Sequence, residues 1–250
     1  VQFDFPDENG KPYQSSGGKM VFNDILKREI PEGWGNMIIN DLGSVIGGST
    51  PSKANPQNFC DNGIPWITPK DLSMNIGNKF ISNGELDVSA LGLKDASLNI
   101  LPLNSVLMSS RAPIGYLAIN RKECTTNQGF KSIVCDKGYA SEYVYYVLKN
   151  NMKIIEANAS GSTFKEISGS VFKSIDIIKP DKEVLSHFRE KVAPIFKKQN
   201  NLEKQNQELA QLRDWLLPML MNGQVRVGEC DEEDLGLVAE EKGEYKKSRL

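Results

Sequence analysis

The sequence predicts an α+β fold, in which a mixed, β-rich domain is followed by a long α-helix that forms a coiled coil. Two patterns predict this. Short β-branched and aromatic runs between turn residues fill the middle of the chain, and apolar residues recur at heptad spacing after Pro180. The chain has 250 residues, of which 39% are hydrophobic and 25% charged. This composition is typical of packed globular domains, and no apolar run is long enough to span a bilayer.

The chain is expected to divide into four segments. Residues 1–33 are polar and turn-rich, which indicates a loosely structured arm or linker. Residues 34–180 form the β-rich domain. Its expected elements are strands at Ile64–Thr68, Ser105–Ser109, Tyr116–Ile119, Phe130–Cys135 and Ile175–Ile178, and a helix over Ala140–Ala157 with Ser141 as its N-cap. The second and third strands flank a turn at Arg111–Gly115 and predict a hairpin. Residues 181–223 form the long helix, and residues 224–250 a polar, acidic tail.

The long helix has clear start and stop signals. Asp181 is a good N-cap, Asn222-Gly223 predicts the end, and Pro194 is expected to cause a kink or a break. With Leu185 at heptad position a, every d position is apolar over five heptads, whereas later a positions are polar and would fix register. The residues predicted to contact a partner helix are Leu185, Phe188, Val192, Ile195, Leu202, Asn206, Leu209 and Leu216. The alternative is an amphipathic helix packed on its own domain.

Motifs for catalysis are missing from the sequence. It has no phosphate-binding G-x-x-x-x-G-K-[ST] loop and no G-x-G-x-x-G, and Asn55–Asn58 only partly matches the Asn-Pro-Pro-aromatic motif of adenine methyltransferases. The single histidine, His187, is interpreted as a helix-surface residue. No two of the four cysteines stand at C-x-x-C spacing, so we expect no metal site, and scattered thiols fit a reducing cytoplasm. These absences predict a chain that is not an enzyme and holds no cofactor.

Charge alone does not predict a nucleic-acid partner, since the net charge is −2. Between Pro102 and Lys165, however, eight basic residues face four acidic ones. A set of polar residues lies at predicted turns and strand ends, where binding residues are often found. The candidate DNA-binding residues are Lys53, Thr68, Lys70, Arg111, Asn127, Gln128, Lys131, Thr163 and Lys165. Arg, Asn and Gln can read base edges, and Lys and Thr suit phosphate oxygens. The alternative interpretation is ordinary solvated loop polarity.

A series of segments, in this order, resembles the specificity subunits of type I restriction-modification systems. The segments are Val1–Met20, Ile46–Ser52 (IGGSTPS), Gly63–Ile67 (GIPWI), Ser105–Gly115 (SVLMSSRAPIG), Thr126–Lys131 (TNQGFK), Ser160–Thr163 (SGST) and Leu212–Val225 (LRDWLLPMLMNGQV). The resemblance covers roughly residues 1–227. It implies a target-recognition domain at 34–180, similar to the DNA-binding domain of certain adenine methyltransferases, and a helix at 181–223 for dimerisation and for docking of modification subunits.

The resemblance also implies the function and the partners. The chain is expected to recognise double-stranded DNA in the cytoplasm and to direct modification subunits, which carry S-adenosylmethionine, and possible restriction translocase subunits to a bipartite target. The family usually has two recognition domains and two helical regions, whereas this sequence has one of each. A homodimer through the coiled coil is therefore expected. Two rival hypotheses stay open: a coiled-coil interaction module that does not read DNA, and a fused methyltransferase domain.

Overall fold

The computed structural model describes residues 3–7, 9–111, 113–161 and 165–224. These residues fall into two units, of which the first extends to Glu203 and the second begins at Lys204. The strands are β1 (Met20–Asn23), β2 (Arg28–Pro31), β3 (Gly35–Ile38), β4 (Ser44–Gly47), β5 (Phe59–Ile67), β6 (Phe80–Ile81), β7 (Leu86–Val88), β8 (Val106–Ser110), β9 (Ile114–Asn120), β10 (Thr125–Thr126), β11 (Lys131–Val134) and β12 (Asp176–Lys179). The helices are α1 (Pro69–Met74), α2 (Ala90–Asp95), α3 (Ser141–Asn150), α4 (Met152–Ala157), α5 (Gly169–Lys173) and α6 (Lys182–Met221). Mixed sheets followed by one long helix agree with the predicted α+β class.

A five-stranded sheet forms the centre of the first unit, in the order β4-β11-β8-β9-β6. Its edge strand β6 runs parallel to β9, and the other neighbours are antiparallel. The predicted hairpin is confirmed as β8–β9, with Leu107 opposite Ala118. A second sheet, β10-β5-β7, lies beside it, and the pairs β1–β2 and β3–β12 complete the strands.

Both faces of the central sheet are buried, which explains why β8 is apolar without alternation. Val106 and Met108 belong to one hydrophobic cluster, which includes residues of α3, α4 and α5. Leu107 between them belongs to a second cluster, with Ile67 and Phe130. Because successive side chains in a strand point to opposite faces, both sets must be apolar when each face is covered.

The segment 1–33 differs from the expected loose arm. It contains the antiparallel hairpin β1–β2, and Ile30 at the end of β2 is almost completely buried. The ring of Phe5 stacks on Trp34 with centroids 5.0 Å apart, and Phe3 meets the edge of the same indole at 5.6 Å. Burial of these aromatic rings holds a polar, turn-rich chain in place, since aromatic side chains each remove a large apolar area from water.

The helix predicted over Ala140–Ala157 is divided into α3 and α4. The side chain of Asn151 donates a hydrogen bond to the carbonyl of Val147 at 2.8 Å, and such a bond competes with helix continuation. The prediction of Ser141 as N-cap is wrong by one residue, because Ala140 occupies that position and makes no side-chain capping bond.

The ends of α6 agree with the prediction. The Asp181 carboxylate accepts a hydrogen bond from the Glu183 amide at 2.8 Å, and Gly223 ends the helix with a φ of +68°. The expected break at Pro194 does not occur, since the helix continues through it. Phe196, which is 3% exposed, packs into the main core and holds this turn against the domain. The first unit therefore extends beyond the expected boundary at residue 180.

Within the described residues, no helix has the length and hydropathy required to cross a membrane.

Candidate nucleic-acid interface

Three loops meet beside the turn of the β8–β9 hairpin. The amide of Ser110 donates to the Gly129 carbonyl at 2.7 Å, and the amide of Ile167 donates to the Ser110 carbonyl at 3.1 Å. A β-bridge also joins Arg111 to Glu166. Backbone hydrogen bonds thus fix the positions of the loops, so that their side chains start from a rigid support.

Two cations share one carboxylate at this place. Arg111 Nη1 lies 3.7 Å from Glu166 Oε2, and Lys131 Nζ lies 3.7 Å from Glu166 Oε1. The Lys131 side chain is only 14% exposed, whereas those of Arg111 and Glu166 are 36% and 39% exposed. The three groups carry a net positive charge. At 3.7 Å the Arg111–Glu166 contact is longer than a normal hydrogen bond, and with 36% of its side chain exposed Arg111 is accessible to a ligand.

The turn Asn127–Gly129 lies beside these cations. Asn127 Oδ1 accepts a hydrogen bond from the Gly129 amide at 2.9 Å, which fixes the turn. Gln128 is exposed, and its side-chain amide oxygen Oε1 accepts a hydrogen bond from the Thr50 hydroxyl. A Cβ at Gly48 would collide with the Asn127 carbonyl, so the approach of the two loops requires glycine there. We call Arg111, Asn127, Gln128, Lys131 and Glu166 the Arg111 cluster.

Thr68 follows β5 and is joined to the cluster through the backbone, since the Asn127 amide donates to the carbonyl of Ile67 at 3.1 Å. Its hydroxyl acts as the cap of α1, however. It accepts a hydrogen bond from the Asp71 amide at 3.4 Å, and Asp71 Oδ2 in return accepts from the Thr68 hydroxyl at 2.6 Å and from the Thr68 amide at 2.7 Å. Thr68 therefore has a structural role that the sequence analysis did not assign to it.

Lys70 and Lys53 form a second group of charges with Glu85. Lys70 Nζ lies 2.6 Å from Glu85 Oε2 in an exposed ion pair. The hydrogen bond from Lys70 lowers the pKa of Glu85, and the charge of Lys53 contributes a smaller lowering of that pKa.

The structure brings together four of the nine candidates, namely Arg111, Asn127, Gln128 and Lys131, and places Thr68 next to them. Lys165 is exposed and adjoins Glu166 in the chain, and Thr163 lies outside the described residues. Sequence reasoning missed Glu166, although a carboxylate three residues after Thr163 could have been paired with the nearby basic residues.

The described residues contain no cluster of three or more histidine, cysteine or acidic residues able to hold a metal ion. Burial raises the pKa of the Cys124 thiol to about 12, and it does the same for Cys135. Neither thiol supplies a thiolate nucleophile near neutral pH. His187 is exposed on α6.

The predicted partner-helix residues lie in two environments. Leu185, Phe188 and Val192 are half-buried on their own domain, where the Phe188 ring contacts Tyr143 with centroids 6.2 Å apart. The remaining members are exposed or half-exposed: Ile195 (62%), Leu202 (48%), Leu209 (62%), Asn206 and Leu216. These exposed side chains are free to meet a partner helix, but the predicted coiled coil stays a prediction.

Comparison with known proteins agrees with the resemblance. A family model described as the type I restriction modification DNA specificity domain matches residues 31–212. The chain is 39% identical over 198 residues to the type I restriction enzyme MjaIX specificity subunit of Methanocaldococcus jannaschii, covering 76% of this chain and 45% of the relative. It is 34% identical over 199 residues to the HindI specificity subunit of Haemophilus influenzae, covering 78% of this chain and 42% of that one.

Among solved structures, the HsdS subunit from Thermoanaerobacter tengcongensis shares the fold, with a TM-score of 0.50 and 16% identity over 82% of this chain and 48% of that chain. The chain spans less than half the length of the curated relatives that it matches. With the family model matching most of its residues, this chain belongs to the family of type I restriction-modification DNA specificity domains.

Proposed function

We propose that this chain is the sequence-specific DNA-recognition component of a type I restriction-modification enzyme. The observation that carries the proposal is the Arg111 cluster. In it, one guanidinium, two amides, one ammonium group and one carboxylate lie on loops and at a strand start that backbone hydrogen bonds hold together. Membership of the specificity-domain family gives this cluster its ligand, which is double-stranded DNA.

The cationic and amide side chains of the cluster suit base edges and phosphate oxygens of the duplex. The Arg111 guanidinium can pair with guanine O6 and N7, and the amides of Asn127 and Gln128 can pair with adenine. Lys131 is mostly buried and adds positive charge beneath them, whereas the exposed Lys53, Lys70 and Lys165 suit phosphate oxygens. A reading Arg typically contributes about 1–3 kcal/mol at one base pair, and a phosphate-bound Lys weakens binding to all sequences alike when removed.

The chemistry is proposed to lie on other chains. Modification subunits would supply S-adenosylmethionine and adenine methylation, restriction translocase subunits could join them, and this chain would direct the assembly in the cytoplasm without catalysis. The names of the relatives, both specificity subunits, support this division of roles. The buried, high-pKa thiols of Cys124 and Cys135 agree with it.

The test is to express the chain with the modification subunits of its own system and to sequence the methylated bases of the host DNA. A bipartite methylated motif that disappears when the gene is deleted is the expected result, and Arg111→Ala should relax one position of that motif. Methyl transfer by the purified chain alone would contradict the non-catalytic role. A motif that is unchanged by Arg111→Ala and Gln128→Ala would place the reading surface elsewhere.

We also propose that two copies pair through α6. The exposed d positions Ile195, Leu202 and Leu209 form an apolar row along the helix, and Asn206 at a polar a position would select the register. Twofold pairing is the commonest closed symmetry, and an antiparallel pair would present two identical recognition domains to an interrupted palindrome.

Inserting one heptad between Gln199 and Asn206 should change the spacer of the methylated motif and leave its half-sites unchanged. Light scattering should give the mass of two copies. A monomer, both alone and with modification subunits, would contradict the paired arrangement. A dimer that binds no DNA at any salt concentration would favour the rival hypothesis of a coiled-coil interaction module.

A further inference from the structure

Glu203 lies on α6, whose residues are mostly polar, yet its carboxylate is buried against the rest of the first unit. Its side chain is 7% exposed, and each of its two oxygens accepts two hydrogen bonds. Oε1 accepts from the Lys79 amide at 2.9 Å and from Gln199 Nε2 at 2.8 Å. Oε2 accepts from the Phe80 amide at 3.0 Å and from Arg121 Nη2 at 3.3 Å. The carboxylate therefore binds the start of β6 and the residue that follows β9.

Arg121 and Lys79 make further contacts with α6 and with two aromatic rings. Arg121 Nε donates to the Asn200 side chain at 2.6 Å, and its guanidinium lies 5.6 Å from the centre of the Phe80 ring. Lys79 Nζ donates to Gln199 Oε1 at 2.6 Å and lies 4.6 Å from the centre of the Phe196 ring. We call Lys79, Arg121, Gln199, Asn200 and Glu203 the Glu203 network.

Stability alone does not explain a buried ion pair here. Removing a carboxylate and a guanidinium from water carries a large desolvation penalty, and apolar residues of similar size often stabilise as well or better. Burial of Arg121 lowers the pKa of its guanidinium, and the charge of Glu203 offsets part of that effect. What the network adds, compared with apolar packing, is that its hydrogen bonds hold α6 in one orientation on the domain. Apolar contacts tolerate sliding and rotation, whereas hydrogen bonds weaken steeply with angle and distance.

The network also joins α6 to the strand that carries the recognition turn. Arg121 directly follows β9, and β9 is the second strand of the hairpin whose turn holds Arg111. The hydrogen bonds of Glu203 therefore fix the rotation and register of this part of α6 relative to the hairpin. The network lies within the first unit and does not depend on the contacts of the later helix.

We infer that Glu203 is a positioning residue that sets the spacer length of the DNA target. This inference rests on the proposed function, in which two recognition domains are held apart by their helices. If the helix could rotate or slide on its domain, the distance and phase between the two half-sites would vary. The half-sites themselves would still be read by the Arg111 cluster.

The experiment measures methylation by the assembled enzyme on duplexes with identical half-sites and spacers that differ by single base pairs. Glu203→Gln replaces one acceptor oxygen with an amide that faces donors. Arg121→Lys keeps the charge but removes the planar group of donors that reaches both Asn200 and Glu203. Glu190→Gln removes the same charge from an exposed site on α6 and is the matched control.

We expect wild type and Glu190→Gln to prefer one spacer. In Glu203→Gln and Arg121→Lys the preference over spacers one base pair longer or shorter should fall by about tenfold, the size of one lost buried, charged hydrogen bond. The preference for the correct half-site sequence should not change.

An unchanged spacer profile in a folded Glu203→Gln protein would overturn the inference. If that variant does not fold, Arg121→Lys decides the question by the same criterion. Loss of half-site preference together with spacer preference would also overturn it, because it would indicate general damage to the domain. Failure of the wild-type assembly to methylate any of these duplexes would instead contradict the proposed function.

Discussion

Replacing Glu166 with glutamine should strengthen DNA binding and make it more sensitive to salt. Glu166 lies 3.7 Å from both Arg111 and Lys131, and its carboxylate neutralises one positive charge of the Arg111 cluster. A phosphate that approaches these cations must compete with it. The amide in Glu166→Gln keeps the size of the side chain and removes the competing charge.

The magnitude follows from the geometry of the two ion pairs. Each such pair at this distance contributes at most about 1 kcal/mol, so losing both should raise affinity at low salt by no more than roughly thirtyfold. Each additional phosphate neutralised by protein steepens the slope of log K against log salt by about 0.9. A fourfold rise in salt should therefore weaken the variant about threefold more than wild type.

Fluorescence anisotropy of a labelled duplex over a series of salt concentrations measures both quantities. Glu156→Gln is the matched control, because Glu156 is an exposed carboxylate of α4 and its replacement changes the net charge equally. Arg111→Ala should move the slope in the opposite direction. Equal slopes for Glu166→Gln and Glu156→Gln, with no effect of Arg111→Ala, would refute the placement of the DNA surface at the Arg111 cluster.

Two further predictions concern stability and thiol chemistry. Phe196→Ala should lower the free energy of unfolding by about 3–5 kcal/mol, because it leaves a cavity between α6 and the domain. Urea denaturation measures this loss, and the control Lys197→Ala, at an exposed site, should stay within about 0.5 kcal/mol of wild type. Equal losses in the two variants would contradict the packing of this helix turn. Peptide mapping after alkylation at neutral pH should find Cys60 modified and Cys124 and Cys135 protected, because Cys60 is exposed while burial raises the thiol pKa of the other two to about 12; rapid labelling of Cys124 in the folded protein would contradict its burial.

The parts of the fold that the sequence predicted are those with strong local signals. The hairpin β8–β9 combines apolar runs with the turn residues of Arg111–Gly115, and α6 has Asp181 at its start and Gly223 at its end. These signals involve residues close together in the chain. The local pattern was therefore sufficient to predict the element.

The N-terminal segment shows why the remaining parts could not be predicted in the same way. Its glycines, prolines and polar residues favour a linker, and the composition between Phe5 and Trp34 contains no long apolar run. The stacking of these two rings joins residues distant in sequence, and Phe3 and Ile30 of the same segment are buried. Tertiary contact overrides local composition here.

The sequence predicted which residue types form the candidate site, but not which side chains contact each other there. Arginine, asparagine and glutamine at turns indicated base reading, and Arg111, Asn127 and Gln128 do lie together. Thr68-Pro69-Lys70-Asp71 has the pattern of a capping box with proline at the first helical position, so a helix cap could have been predicted there. Which two cations Glu166 would bridge could not be predicted, because the partners are distant in the chain. Charged and hydroxyl side chains have several possible partners, and only the folded backbone selects among them.

The long helix carries two stripes that heptad assignment treats as one. Val192, Phe196 and Glu203 face the domain, at positions a, e and e, while Ile195 and Leu202 at position d are exposed. Adjacent residues on an α-helix point about 100° apart, and here Phe196 is 3% exposed whereas Ile195 is 62% exposed, so the two side chains have different surroundings. A heptad count finds the d row because it is apolar throughout, but it gives Glu203 no reason to be buried. The same helix therefore packs on its own domain through the Glu203 network and leaves an apolar row exposed. Fixing one stripe on the domain also fixes the direction in which the other faces, which is the physical basis of the inference that Glu203 sets the spacer.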